Sequence, residues 1–384
     1  MVGRIKIIFF IDSFRVGGMH RQVYLILNSL DTERFEPILV SQSQEGGFKE
    51  LFLSLGCKIY TLKWVNRFSF ISVLIRLIKI LRIEKVDYIF ITQLPNFIYY
   101  VIGSFFLSTN PKLIGSFRAL NFWLGNKSKW HLFVETFFVK FFYKKCHLIT
   151  ANSKALVNHY NKIINVSISK PILCIYNGID FCFNAIKFSR QLFYNACEND
   201  TLIIMAARFD LIKDFETFLN AAYLVSKKID TVKFYLIGDG DLKGFIENKI
   251  LDLDLSDKVF LIGEVSNPSD YIRNADISVL STFGEGLSNT LLESMLLKVP
   301  CIATSVGGNV ELLSEERGLL VPCKDSVALS LSIIRLISNK QLRETYINNS
   351  YSYVTNTFDV NRMVKSYESF ILNDYILNNK KVGR

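Results

Sequence analysis

Short apolar runs alternate with stretches of helical periodicity along almost the whole chain. Runs at 5–11, 35–40, 59–62, 88–91, 112–115 and 147–151 have the length and residue content of buried strands. Between them, apolar positions recur every three to four residues at 21–30, 48–55 and 69–81, the spacing of a helix with one buried face. The pattern loses regularity around 183–200 and then restarts. Strands are predicted at 201–206, 233–237, 259–261, 277–280 and 301–303, and helices at 215–227, 243–251, 287–297, 327–337 and 341–353. Repeated β-to-α alternation predicts parallel sheets covered by helices. Two βα domains joined near 185–200 account for the pattern, and 384 residues suit two domains.

Composition narrows the class. Half of the residues are hydrophobic, 14% aromatic and 21% charged, which excludes a disordered chain. Seven cysteines without a CxxC pair argue against a disulfide framework or zinc site and for a reducing cytoplasm. The apolar run at 6–11 meets Asp12 and Arg15 at once, with no small-residue cleavage site, so it reads as a strand and not as a secretory signal. The apolar stretch at 97–107 is shorter than the about 20 residues a bilayer requires, and 133–143 is interrupted by Glu135 and Lys140. An integral membrane protein is not expected. Net charge is +10, unevenly spread. Residues 1–184 hold 23 Lys and Arg against 10 Asp and Glu (net +13), and residues 185–384 hold 22 against 25 (net −3). The first half therefore calls for an anionic partner: nucleic acid, an anionic membrane surface or a phosphorylated substrate.

Open parallel sheets bind ligands at the carboxyl ends of their strands, so chemistry is expected in loops that follow strands. Gly284-Glu285-Gly286-Leu287-Ser288-Asn289 lies between a predicted strand and helix, and Glu293 follows on the helix. A helix start beside glycines attracts phosphate, and Glu285 can accept hydrogen bonds from hydroxyls. The plain alternative is a capping box of Thr290 and Glu293, with Glu285 a solvated loop acid. Arg208 and Lys213 follow the strand at 201–206 and could clamp a diphosphate. Their plain alternative is pairing with Asp210 and Asp214. Gly17-Gly18 and Gly307-Gly308 are tight βα turns or places where backbone approaches a ligand. Gly238-Asp239-Gly240-Asp241 reads as a turn and not a metal site. His20, His131, His147 and His159 lack metal-ligand spacing, and no P-loop or nucleophile elbow is present.

Together these segments resemble the family-4 retaining glycosyltransferases of the GT-B fold. The likeness runs in order through Gly17-Gly18 and Arg21, Ala151-Asn152-Ser153, Tyr176-Asn177-Gly178-Ile179-Asp180, Arg208 and Lys213, Gly238-Asp239-Gly240, the E-x7-E pair Glu285 and Glu293, and Val306-Gly307-Gly308-Asn309-Val310-Glu311. It implies an α/β protein with two Rossmann-like βα domains facing a deep interdomain cleft. An acceptor-side domain spans 1–190 and a donor-binding domain 191–359, with a last helix at about 360–377 packed back on the first. Arg208, Lys213 and Glu285 would be catalytic: the cations hold the donor diphosphate, and Glu285 faces the donor sugar. Gly17, Gly18, Gly286, Leu287, Ser288, Asn289 and Glu293 would bind donor, with Glu293 on the ribose. No metal and no cofactor are implied beyond the nucleotide-diphosphate sugar itself. The sequence departs from the family where many members carry a His: this chain has Arg118 nearby, which can touch acceptor or phosphate but cannot serve as a base.

The expected reaction is transfer to a saccharide or lipid-linked saccharide in cell-surface polysaccharide synthesis. A sugar-nucleotide epimerase or hydrolase and a non-catalytic scaffold are the alternatives. No nucleic-acid motif accompanies the basic half. Lysines at 127, 129, 140, 144 and 145 interleave with Trp123, Trp130, Phe133, Phe137, Phe138, Phe141 and Phe142. That pattern suits a cytoplasmic protein held peripherally at the inner face of an anionic membrane, or a plain aromatic core.

Overall fold

The computed structural model describes residues 4–108, 110–119, 129–164, 170–180 and 190–382. The chain divides into two compact units: Met1–Arg118 with Lys127–Gly178 and Val360–Arg384, and Ala119–Asn126 with Ile179–Asp359.

The first unit is built on β1 (Ile5–Ile11), β2 (Phe35–Ser41), β3 (Lys58–Thr61), β4 (Tyr88–Ile91), β5 (Lys112–Phe117), β6 (Leu148–Ala151) and β7 (Leu173–Cys174). They pair in parallel in the order β3-β2-β1-β4-β5-β6-β7. Helices cover both faces, so the strands are apolar on both sides; Ile7, Ile8 and Phe10 in β1 are all buried. One face packs against α1 (Gly18–Ser29), α2 (Lys49–Leu53) and α14 (Val360–Val382), whose Met363, Val364, Tyr367 and Ile371 enter the same core as Val23 and Ile26 of α1. The other helices are α3 (Phe70–Glu84), α4 (Leu94–Ser104), α5 (Lys129–Lys145) and α6 (Lys154–Ile164). α4 was not foreseen. Its Phe97, Tyr99 and Tyr100 are all buried, so it shows no one-sided stripe for periodicity to detect.

The second unit repeats the plan with β8 (Thr201–Ala206), β9 (Val232–Ile237), β10 (Val259–Gly263), β11 (Ile277–Leu280), β12 (Cys301–Thr304) and β13 (Leu319–Val321), parallel in the order β10-β9-β8-β11-β12-β13. Its helices are α7 (Phe215–Ser226), α8 (Lys243–Asp252), α9 (Pro268–Asn274), α10 (Asn289–Leu296), α11 (Gly308–Leu313), α12 (Ser326–Ser338) and α13 (Lys340–Thr357). In each sheet the order reverses direction between the first and fourth strands, β1/β4 and β8/β11. Such a switch point opens a crevice beyond the strand ends.

The units part after Gly178, not at 190. The Gly178 N–H donates to Gln22 Oε1 and its carbonyl accepts from Gln22 Nε2, both at 2.9 Å, which fastens it to α1. The next residue, Ile179, donates instead to the Phe358 carbonyl at 2.7 Å. The last helix is longer than the expected 360–377 and is tied by Asp374, which accepts from Tyr88 Oη and Lys112 Nζ, each at 2.7 Å.

Candidate functional site

The loops after β8 and β11 meet at the switch point of the second sheet. Lys213 forms an isolated bridge with Thr282, the Phe283 N–H donates to the Ile212 carbonyl at 2.8 Å, and the Asp214 N–H donates to the Ser281 carbonyl at 3.0 Å. This stitching carries the Lys213 ammonium to the Glu285 carboxylate, an ion pair of two largely buried side chains. Asp214 is not its partner. That carboxylate caps α7, accepting from the Thr217 N–H at 3.0 Å and Thr217 Oγ1 at 2.6 Å. Arg208 stands in the same loop but faces solvent, with Nε 2.7 Å from Asp210 Oδ2. The structure thus joins Lys213 with Glu285 and leaves Arg208 on a local acid.

Helix α10 starts at Asn289, two residues later than expected, so Gly286, Leu287 and Ser288 belong to the loop. Ser288 is the cap, its Oγ accepting from the Leu291 N–H at 3.2 Å. The capping box of Thr290 and Glu293 does not form. Thr290 Oγ1 donates to the Ala206 carbonyl at 3.1 Å, tying α10 to the end of β8. Glu293 is buried one turn on, and Ser269 Oγ of α9 donates to its Oε2 at 3.0 Å. The β12–α11 loop closes against the same place: a Cβ at Gly308 would overlap the Gly286 carbonyl oxygen. The Gly238–Asp241 segment is a turn, with Asp239 Oδ1 accepting from the Gly240 N–H at 2.7 Å and the Asp239 carbonyl from the Phe209 N–H at 2.9 Å. Among the described residues, no group of three His, Cys, Asp or Glu is arranged to hold a metal.

Two family models match in tandem: Glycosyltransferase Family 4 over residues 16–181, and Glycosyl transferases group 1 over 191–353. The chain belongs to the family-4 glycosyltransferases. It is 25% identical to N-acetyl-alpha-D-glucosaminyl L-malate synthase of Bacillus anthracis over 64% of each chain. It is 28% identical to N-acetylgalactosamine-N,N'-diacetylbacillosaminyl-diphospho-undecaprenol 4-alpha-N-acetylgalactosaminyltransferase of Campylobacter jejuni, over 58% of this chain and 59% of that one. The alignments thus span less than two thirds of either relative. In fold, the chain superposes on HepE of Anabaena solved with UDP and glucose, with TM-score 0.79 and 19% identity, covering 96% of this chain and 100% of that one. The fold is GT-B.

The family member's first unit holds the remaining expected residues. Gly17 caps α1 and Gly18 opens it, after β1. Beside them is a pair the sequence reading missed: His20 Nε2 lies 2.7 Å from Asp12 Oδ1. Burial pushes the Asp12 carboxyl up, but the hydrogen bond and charge of His20, with a further bond from Gln93, outweigh it and lower its pKa to about 2. Arg118 follows β5, and its guanidinium donates to Asn177 Oδ1 at 3.0 Å and Tyr367 Oη at 3.3 Å. It braces α14 and the segment before Gly178, while its buried Nε has no hydrogen-bond partner among the described residues. On α5, Phe133, Phe137, Lys140, Lys144 and Lys145 are exposed, Phe141 and Phe138 half-buried, and Phe142 buried. Trp123 and Lys127 lie outside the described residues.

Proposed function

We propose that the chain is a retaining, metal-independent glycosyltransferase that moves a sugar from a nucleotide-diphosphate donor to a saccharide or lipid-linked saccharide. The observation that carries this reading is the Lys213–Glu285 pair at the switch point of the second sheet. In the absence of donor each charge holds the other in place. A diphosphate entering beside the start of α10 draws the ammonium to itself, since both the helix end and Lys213 favour the anion. Glu285 is then released to accept from donor-sugar hydroxyls. Arg208, on its exposed side chain, swings from Asp210 to the outer phosphate, and Glu293, held by Ser269, binds the ribose. Two cations in place of a metal neutralise the leaving diphosphate. Loop backbone at Gly286–Asn289 lines the phosphates.

The Campylobacter relative is named for a diphospho-undecaprenol acceptor, which supports a lipid-linked saccharide and work at an anionic membrane surface. No helix among the described residues is long and apolar enough to cross a membrane. Exposed Phe133 and Phe137 beside Lys140, Lys144 and Lys145 support peripheral attachment instead.

The test is release of nucleoside diphosphate from a panel of sugar nucleotides, with and without saccharide acceptors. Acceptor-dependent release that persists in EDTA, with the anomeric configuration kept in the product, is the expected result. Release indifferent to acceptor would make the protein a hydrolase, and complete loss in EDTA would remove metal independence.

A further inference from the structure

Helix α3 buries Val73, Leu77, Ile80 and Leu81 and turns a second apolar face to solvent. Ile71 is 68% exposed, Ile75 60% and Ile83 63%, with exposed Lys79 between the last two. These four positions follow at i, i+4 spacing and form one strip along the helix. The strip continues backwards through the 3-10 turn Arg67–Ser69, which the Asn66 side chain caps by accepting from the Phe68 N–H at 3.0 Å, and where Phe68 is 80% exposed. At its other end lies Phe105, 77% exposed; the neighbouring Phe106 carbonyl accepts from Arg82 Nη2 at 2.7 Å. Single exposed apolar residues are ordinary. A strip on consecutive turns, extended at both ends, is an interaction surface.

Charge selects the occupant. Residues 58–85 carry seven Lys and Arg and one acid, Glu84. Glu84 is buried and spent internally, accepting from Tyr60 Oη and from Lys58 Nζ at 3.1 Å. Exposed Arg76, Lys79 and Arg82 therefore flank the strip with no surface carboxylate among them. A second copy of the chain would set these cations against their own kind. An anionic lipid surface meets both demands, taking apolar side chains into the acyl boundary and cations among its headgroups. The aromatic helix α5 lies one helix away from α3. α4 packs between the two helices, with Tyr99 stacked on Phe70 of α3 (4.8 Å between centroids) and Phe97 against Phe141 of α5 (5.6 Å).

We propose that the outer face of α3, with the turn before it, is the principal surface by which the first unit seats on anionic membrane, α3 lying in the plane of the interface. This rests on the peripheral attachment proposed above and assigns its centre to α3, with α5 at the margin.

Flotation of the full chain with phosphatidylglycerol/phosphatidylcholine vesicles, against phosphatidylcholine alone, tests it. A triple variant (Phe68→Ser, Ile71→Ser, Ile75→Ser) changes only exposed side chains, and its thermal melt and nucleotide-sugar turnover on a water-soluble acceptor control for folding. The wild type should float with anionic vesicles. The triple variant should lose about tenfold or more of the bound fraction, and the loss should persist at high salt, where contacts through lysine alone are screened. A folded triple variant that floats like the wild type, while charge reversal at Lys140, Lys144 and Lys145 abolishes flotation, overturns the assignment to α3 and leaves peripheral attachment standing. A wild type that floats with neither vesicle overturns both. A dimer in light scattering that the triple variant dissociates, without flotation, makes a second copy the occupant and overturns the lipid proposal.

Discussion

Lys213 and Arg208 show how exposure decides what an ion pair can do. The Arg208–Asp210 pair is open to water on the arginine side, and such pairs contribute about 0–1 kcal/mol. Lys213 and Glu285 are both largely buried, so each needs the other or a substitute charge. Lys213→Ala is expected to lower kcat by about a hundredfold or more and, because Glu285 is left without its counter-charge, to lower the melting temperature while the protein stays folded. Steady-state kinetics beside a thermal melt reads both, and wild-type kcat in Lys213→Ala would rule out the proposed role. Ser269 tests the neighbouring carboxylate. Without the bond from Ser269, Glu293 should be less well oriented towards the ribose, so Ser269→Ala should raise donor KM severalfold with kcat little changed. A proportionate fall in kcat with unchanged KM would mean a merely structural serine. In the first unit, the depressed Asp12 pKa gives a pH dependence of definite sign. A carboxylate lowered to about 2 from 3.8 contributes stability that is complete above 3.8 and lost as pH falls toward 2. The stability deficit of Asp12→Asn in urea titrations should therefore be largest above pH 3.8 and shrink towards pH 2; a deficit constant across that window would sever the link to His20. The candidate residues themselves were legible from loop position, but their partners were not. Asp214 sits beside Lys213 in sequence, yet the capping demand of α7 claims it, and the ammonium finds a carboxylate 72 residues away.

At the scale of elements, the central strands are legible because both of their faces are apolar and turn residues bound them, whereas β7 and β13, two and three residues long and partly exposed, leave no run to detect. β1, β4, β8 and β11 match their expected limits. Helices were read where one face is buried. α4 failed that condition, and α9 and α11 are too short for periodicity. The start of α10 falls two residues later than expected because buried Leu287 continues the apolar spacing of Leu291 and Leu292 into the loop, whereas Ser288 is the residue that caps the helix. How tightly the loops around α10 close is testable at Gly308. The methyl of Gly308→Ala would overlap backbone that cannot rotate away, so the β12–α11 and β11–α10 loops must separate. The expected cost is about 1–3 kcal/mol in urea unfolding, together with weaker donor binding. Gly244→Ala is the control: it lies in α8, its Cβ meets nothing within 4 Å, and it should stabilise by about 0.4–1 kcal/mol. Equal stability of the two variants would mean that the loops are not closed in solution.

At the scale of the molecule, the chain leaves its first unit after Gly178 and returns to it at Val360, so that unit is completed only when the last helix docks. Four side chains of α14, Met363, Val364, Tyr367 and Ile371, are buried in its core, and Asp374 meets Tyr88 and Lys112 beneath them. At about 1.5–3 kcal/mol for each large apolar side chain, the helix contributes about 6–12 kcal/mol, as much as the whole net stability of a typical domain. A chain stopped after Asp359 should therefore leave residues 1–178 unable to hold their fold, while Ile179–Asp359 keeps its own sheet and core. Limited proteolysis with mass spectrometry should find a resistant fragment spanning the second unit and rapid cleavage of the first. Asp374→Asn should give a milder version, since Tyr88 Oη keeps a hydrogen-bond partner but Lys112 loses its counter-charge. Protection of residues 1–178 in the truncated chain, at the level of the full chain, would show that the first unit closes its core without α14.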